Sequence, residues 1–169
     1  MFLDESGFHT AMTRGYARAF SHERAVGIVP RNHGLNHTLI CGLGLAGPLA
    51  ELVIEGAVNG EVFEGYVRQV LCPALQPGQV VVLDNLSSHH RASVRTLIEA
   101  AGCTLLFLSP YSPDFNPIEM LFSKLKAFVR GRAWRLVNDL ITGIGLALVT
   151  VTTENILGWF KHAHPGLLL

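Results

Sequence analysis

The spacing of apolar and polar residues predicts an α/β protein in which short strands and longer helices follow one another. Short apolar runs bounded by turn residues predict strands at 37–46, 49–55, 80–83 and 104–108. Apolar residues three to four positions apart predict helices at 59–75, 87–101, 134–149 and 153–161. Asn59 is the predicted cap of the first helix, and Ser87 or Ser88 of the second. The segment 13–30 predicts a short strand or hairpin with a loop, and Gly47-Pro48 predicts a hairpin turn.

A further helix follows a proline-rich approach and carries an acid in its first turn. Three prolines in the eight residues 110–117 stiffen this approach, with Asn116 at the expected N-cap and Pro117 at the first helical position. Glu119 lies beside the apolar stripe that predicts the packed face. That stripe consists of Ile118, Leu121, Phe122, Leu125 and Val129. Because Asn followed three residues later by Glu is also a capping box, a structural role for Glu119 is the alternative.

Two further acids stand next to strand-like runs. Asp84 follows the run 80–83, and Asp4 follows Met1-Phe2-Leu3, so each is expected where a strand ends and a loop begins. An Asx turn or helix cap is the alternative for Asp84. Active sites of open α/β sheets lie at the carboxyl ends of the strands, so Asp4, Asp84 and Glu119 can converge at one edge.

Three clustered carboxylates predict a metal site. They repel one another, and their pKa values shift unless a cation neutralises them. Mg²⁺ and Mn²⁺ suit hard oxygen ligands and keep positions open for water and phosphate. Two such ions about 3.5–4 Å apart activate a nucleophile and stabilise the leaving oxygen in phosphoryl transfer. The acids therefore indicate metal-assisted cleavage or transfer of a phosphodiester.

Composition favours a single cytoplasmic domain. The 169 residues are 49% hydrophobic and 15% charged, which is enough for one sizeable core. We find no run of eighteen apolar residues and no export signal. Cys41, Cys72 and Cys103 are odd in number and widely spaced, as expected of reduced core thiols.

The charge distribution leaves two interpretations open. The net charge is zero, which argues mildly against a free-standing nucleic-acid binder. Five cations nevertheless follow Glu119 with no acid among them: Lys124, Lys126, Arg130, Arg132 and Arg135. They form either a solvated helix face or a surface that contacts phosphates.

A nucleotide-binding pattern also occurs, but its context is unfavourable. Gly42-Leu-Gly44-Leu-Ala-Gly47 matches G-x-G-x-x-G. The residues on both sides of Gly47-Pro48 are strand-compatible, and no clear βαβ unit with a terminal acid follows. We therefore expect no nucleotide cofactor.

Several motifs, in order, resemble the DDE transposases of the mariner superfamily, in particular the branch found in bacterial insertion sequences. The resemblance covers nearly the whole chain, and 34 residues separate Asp84 from Glu119, a spacing typical of the group. His89 stands five residues after the second acid, as in the family. The matching motifs are Leu3-Asp4-Glu5-Ser6-Gly7-Phe8, Arg14-Gly15-Tyr16-Ala17, Leu83-Asp84-Asn85 and Tyr111-Ser-Pro-Asp-Phe-Asn-Pro-Ile-Glu119.

The resemblance implies a ribonuclease-H-like α/β fold with a central mixed five-stranded sheet flanked by helices. It implies that Asp4, Asp84 and Glu119 are the catalytic residues and hold two Mg²⁺ or Mn²⁺ ions, with the first acid bridging both. The implied reaction is cleavage of DNA strands at transposon ends, followed by strand transfer into target DNA by a homodimer. Lys126, Arg130 and His89 are the implied DNA contacts, although His89 alternatively orients a ligand. Glu5 is expected to point away from Asp4 because side chains alternate along a strand.

Departures from the family pattern bear on what the chain does alone. Phe122 stands where many relatives carry Trp, and Ser109 where proline is common. No helix-turn-helix segment precedes Asp4, and the first strand is expected to be truncated, so we expect weak binding of transposon ends. The open alternatives are a separately encoded helix-turn-helix partner, an inactive remnant, and a stand-alone nuclease of the same fold.

Overall fold

The computed structural model describes residues 1–110 and 112–166, so Tyr111 of the proline-rich motif lies outside the described residues. The strands are β1 Phe2–Phe8, β2 His37–Gly44, β3 Gly47–Glu55, β4 Val80–Leu83 and β5 Thr104–Phe107. The helices are α1 Gly60–Tyr66, α2 Cys72–Ala74, α3 Ala92–Ala100, α4 Ile118–Arg132, α5 Val137–Val149 and α6 Thr153–Ala163. A π-helical turn joins α1 to α2, and 3-10 turns lie at Ser87–His89 and Pro113–Phe115.

The five strands form one mixed sheet in the order β3-β2-β1-β4-β5. Strands β1, β2 and β3 are antiparallel neighbours, whereas β4 is parallel to both β1 and β5. The predicted mixed five-stranded sheet is therefore confirmed. In the parallel register Leu3 lies opposite Leu83, so the residues that follow them, Asp4 in β1 and Asp84 just after β4, come to the same level of the sheet.

Helices cover both faces of the sheet because its side chains alternate. The face carrying Phe2 and Phe8 packs on α4, α5 and α6. The face carrying Leu3 and Ile40 packs on α1, the π-helical turn and α3. All five apolar residues predicted for the packed stripe of α4 are buried, so that prediction is confirmed.

The first two predicted strands form a hairpin, but its turn lies elsewhere. Gly44 pairs with Gly47, which leaves Leu45-Ala46 as the turn and places Gly47-Pro48 inside β3. Gly47 has a φ of 134°, a conformation that favours glycine. The glycines of the G-x-G-x-x-G pattern therefore shape a hairpin rather than a strand-to-helix loop.

Other boundary predictions are wrong. The segment 13–30 forms neither strand nor hairpin, and its apolar side chains are exposed. Neither Ser87 nor Ser88 caps a helix, because both lie in the 3-10 turn and α3 begins only at Ala92.

The helices give one observation on membrane insertion. Among the described residues, no single helix is long and apolar enough to cross a membrane. Helices α5 and α6, bent by 82° from each other, meet the length and composition criteria only as a pair.

Candidate active site

The three predicted acids line one open cavity of about 360 Å³. Asp84 follows β4 directly, as predicted. Asp4 does not end its strand, because β1 continues to Phe8 and pairs with β2 along its whole length. Strand alternation, together with the register between β1 and β4, therefore brings Asp4 into the cavity. Glu119 reaches the same cavity from the first turn of α4.

Asp4 is the most buried of these carboxylates, with 6% of its surface exposed. Its Oδ1 accepts a hydrogen bond from the Glu5 backbone N–H at 2.7 Å, and its Oδ2 accepts one from Asn116 Nδ2 at 2.9 Å. Burial raises the pKa of Asp4 to about 7 against the lowering effect of the Glu5 N–H, and the carboxylates of Asp84, Glu5 and Glu119 add to the rise. The site thus holds an excess of negative charge.

Asn116 has a different role from the predicted helix cap. Helix α4 begins at Ile118, and the Glu119 N–H donates to the backbone carbonyl of Asn116 at 3.1 Å rather than to its side chain. The capping box proposed as the alternative for Glu119 therefore does not form. The buried Asn116 side chain instead contacts Asp4, and its Oδ1 has no partner among the described residues. Because Asn116 fits a helix-capping pattern, its contact with Asp4 could not be predicted from the sequence.

His89 lies between two carboxylates. Its Nε2 donates to Glu5 Oε1 at 3.0 Å. Its Nδ1 lies 2.6 Å from Asp84 Oδ1, an ion-pair contact that departs from ideal hydrogen-bond direction. His89 is fully buried, and both of its ring nitrogens face carboxylates, while its predicted contact with DNA stays a prediction.

Ionisation of this pair follows from the same contacts. Burial alone would lower the pKa of His89, but Asp84 and Glu5 raise it to about 10. Burial likewise opposes the charged form of Asp84, yet His89 and the Leu86 N–H hold the pKa of that carboxyl below its usual value. The Asp84 carboxylate is therefore kept ionised.

The donor set fits divalent cations. Within residues 1–110 and 112–166, no three His, Cys, Asp or Glu side chains are placed around one point to hold a single ion together. The three carboxylates that line the cavity and the unpartnered Asn116 Oδ1 nevertheless offer the hard oxygen atoms that Mg²⁺ and Mn²⁺ prefer.

A groove of about 420 Å³ continues from the cavity along α4. It is lined by Asn116, Glu119, Met120, Ser123 and, from α6, His162. Further along α4 are Lys126, which is half-buried, and Arg130, which is exposed. Neither forms a salt bridge in the part of the chain that the structure describes.

Two of the five cations after Glu119 have structural partners instead. Lys124 donates to the carbonyl oxygen of Thr150 at 2.7 Å and to the Asn155 side chain. Arg135 donates to the backbone of the loop after β1, at 2.6 Å to Thr10 O and 3.1 Å to Met12 O. The hydrogen bonds of Lys124 and Arg135 therefore reduce the number of these five cations that could contact phosphates.

Comparison with known proteins identifies the family and the fold of the chain. The sequence model described as DDE superfamily endonuclease matches residues 1–141. No curated protein is significantly similar to the chain. The fold is similar to the Mos1 strand transfer complex, with a TM-score of 0.76, 16% identity, and coverage of 97% of this chain and 51% of that one.

Two more solved structures have the same fold. The Mos1 mariner paired-end complex with Mn has a TM-score of 0.73 and 15% identity, over 97% of this chain and 52% of that one. The catalytic domain of Mos1 mariner transposase has a TM-score of 0.66 and 15% identity, over 96% and 74%. The chain spans about half the length of the Mos1 chains in the two complexes. Since the family model covers most of the sequence and the fold agrees, this chain belongs to the DDE superfamily endonucleases.

Proposed function

We propose that the chain is the catalytic domain of a DNA transposase, which cleaves DNA strands at transposon ends and transfers them into target DNA. The observation that carries the proposal is the cavity that Asp4, Asp84 and Glu119 share next to the end of β4. Membership of the DDE endonuclease family supports the same chemistry. The bacterial insertion-sequence branch and a cytoplasmic location belong to this proposal.

In this proposal the three acids are the catalytic residues and hold two Mg²⁺ or Mn²⁺ ions. The carboxylates of Asp4, Asp84 and Glu119 would hold the ions, which would supply activation of the attacking oxygen and stabilisation of the leaving oxygen of the phosphodiester. Asn116 holds Asp4 in place, and the Glu5–His89 pair holds Asp84. A similar Mos1 complex contains Mn, which supports the choice of metal.

The proposed partner is DNA, bound along α4. The groove beside Glu119 leads toward Lys126 and Arg130, whose charges have no carboxylate partner among the described residues. Arg130 is exposed and Lys126 lies over the Phe8 ring, 6.0 Å from its centroid, and in this proposal both contact phosphates. We further propose that the chain acts as a homodimer and that a separately encoded helix-turn-helix protein supplies recognition of the transposon ends.

Nicking of supercoiled plasmid DNA in Mn²⁺ tests the proposed activity. We expect the wild type to nick the plasmid. We expect Glu119→Gln to nick it at least about 100-fold more slowly, because an uncharged amide holds poorly the metal ion that stabilises the developing charge. Glu61→Gln is the matched control, since Glu61 is an exposed acid in the first turn of α1. We expect this control to behave as wild type.

The other outcomes separate the alternatives. A folded wild type that nicks in neither Mn²⁺ nor Mg²⁺ would support an inactive remnant. Nicking without any joining of a 3′-hydroxyl DNA end to the plasmid would support a stand-alone nuclease. Equal nicking by the wild type and Glu119→Gln would refute the proposed role of the acid.

A further inference from the structure

We propose that Glu5 is a positioning residue, which fixes the orientation of the Asp84 carboxylate through the His89 ring. This inference rests on the proposed function, because Asp84 is there a metal ligand. It assigns a role to an acid that neighbours Asp4 in sequence yet points to the opposite side of β1.

The geometry places the His89 ring between the two acids. Glu5 Oε1 lies 3.0 Å from Nε2, and Asp84 Oδ1 lies 2.6 Å from Nδ1. Both ring nitrogens are therefore engaged, one by each carboxylate. Because the two contacts lie on opposite sides of the ring, Glu5 determines how far the ring can rotate relative to Asp84.

The surroundings of His89 leave the ring little other freedom. His89 is fully buried, and its ring centroid lies 4.3 Å from that of Phe63 in α1. Its backbone N–H donates to the Leu86 carbonyl at 3.0 Å, which holds the 3-10 turn against the loop after β4. The Glu5 side chain is only 11% exposed, so it too is confined.

Asp84 itself needs an anchor. It follows the last residue of β4, and its side chain is 30% exposed. Its Oδ1 receives both the His89 contact and a hydrogen bond from the Leu86 N–H at 3.1 Å. Its Oδ2 makes no hydrogen bond to the described residues and is the oxygen left for a cation. Removing Glu5 would release the ring and, with it, one of the two contacts that orient this carboxylate.

The arrangement also couples the first two acids. Asp4 and Glu5 are consecutive in β1, and their side chains leave opposite faces of the strand. The strand that presents Asp4 to the cavity thus also determines where Asp84 points. Partners that orient metal ligands in this way change metal affinity or activity by about 10–100-fold when they are removed.

Calorimetric titration with Mn²⁺ tests the inference without requiring activity. We expect Glu5→Ala to weaken Mn²⁺ affinity by about 10–100-fold. We expect Glu5→Gln to weaken it less, because its amide oxygen can still accept from His89 Nε2. Glu51→Ala is the matched control, since it removes an exposed glutamate of β3, and we expect wild-type affinity.

A double-mutant cycle tests whether Glu5 acts through His89. In a His89→Gln background we expect Glu5→Ala to cause little further loss of Mn²⁺ affinity. A further loss as large as in the wild-type background would overturn the proposed path. Thermal unfolding without metal identifies a temperature at which all variants are folded, and the titrations are made at that temperature. A loss of affinity then reports the orientation of the Asp84 carboxylate and not unfolding.

The outcomes distinguish the inference from the function on which it rests. If the wild type binds Mn²⁺ and folded Glu5→Ala binds it equally well, the inference is overturned and the proposed function stands. If the folded wild type shows no Mn²⁺ binding, the proposed metal site fails first and the inference falls with it. Weaker binding in Glu5→Ala, with partial rescue in Glu5→Gln and no change in Glu51→Ala, supports both.

Discussion

At the scale of single residues, Asp4 and Asn116 show how a buried acid is tolerated. Asp4 receives hydrogen bonds from the Glu5 N–H and the Asn116 amide, yet burial raises its pKa to about 7 against a usual value of 3.8. Two donors therefore do not fully compensate for lost hydration and neighbouring charge. The raised pKa predicts that ionisation of Asp4 lowers the stability of the metal-free protein.

This residue gives a stability prediction with a defined sign. The pKa of Asp4 is higher in the folded than in the unfolded state, so folding takes up a proton between about pH 4 and 7 and stability is lost as the pH rises through this range. We expect Asp4→Asn to raise the metal-free free energy of unfolding at pH 8 by about 1–3 kcal/mol. The Asn116 amide can turn so that its unpartnered Oδ1 accepts from the new amide.

Urea unfolding in the presence of a chelator measures this effect. The gap between Asp4→Asn and the wild type should shrink from pH 8 to pH 4.5, because the wild-type carboxyl is then protonated in the folded state. A variant that is less stable than the wild type at pH 8, or a gap that does not depend on pH, would contradict the assigned pKa shift.

At the scale of elements, regular patterns were predictable and context-dependent ones were not. The apolar stripe of α4 was predicted residue by residue because it follows the helical period strictly. The extent of β1 beyond Asp4 was missed because Glu5, Ser6 and Gly7 have no strong strand preference, and pairing with β2 decides their conformation. A short strand or hairpin was predicted in the segment 13–30 because of its apolar residues. It does not form, because these residues find no partner strand and stay exposed.

Helix α5 offers a matched pair of glycine substitutions. A Cβ on the buried Gly143 would lie 2.4 Å from the Trp134 ring, whereas a Cβ on the exposed Gly145 would meet nothing within 4 Å. We expect Gly143→Ala to destabilise the protein by about 1–3 kcal/mol through overpacking. We expect Gly145→Ala to stabilise it by about 0.5–1 kcal/mol, because alanine favours a helix interior. Thermal unfolding of both variants decides; equal shifts of the same sign would argue against this packing of α5.

At the scale of the whole molecule, the order of the strands assembles the site. The sequence predicted that the three acids come together, and they line one cavity, although Asp4 lies within β1 rather than at its end. It did not predict the Glu5–His89 or Asn116–Asp4 contacts, which join residues 84 and 112 positions apart. Such contacts depend on the register of β1 against β4 and on the entry of α4, which no local pattern encodes.

The proposed DNA path along α4 predicts a change in salt dependence. Neutralising a phosphate-contacting cation reduces the slope of log affinity against log salt by about 1. We expect Lys126→Gln and Arg130→Gln each to do so with a duplex of arbitrary sequence, in fluorescence anisotropy at several salt concentrations. Arg95→Gln is the control, because Arg95 on α3 pairs with Glu99. A slope changed by the control as much as by the α4 variants would refute this path.

The central claim is that Asp4, Asp84 and Glu119 form a divalent-metal site. Calorimetric titration of the wild type and Asp84→Asn with Mn²⁺, after thermal unfolding has confirmed that both are folded, tests it most directly. We expect measurable binding by the wild type and at least about tenfold weaker binding by Asp84→Asn, because an amide is a poorer ligand for a hard cation than a carboxylate. The same affinity in both proteins, or negligible affinity in both, would contradict it.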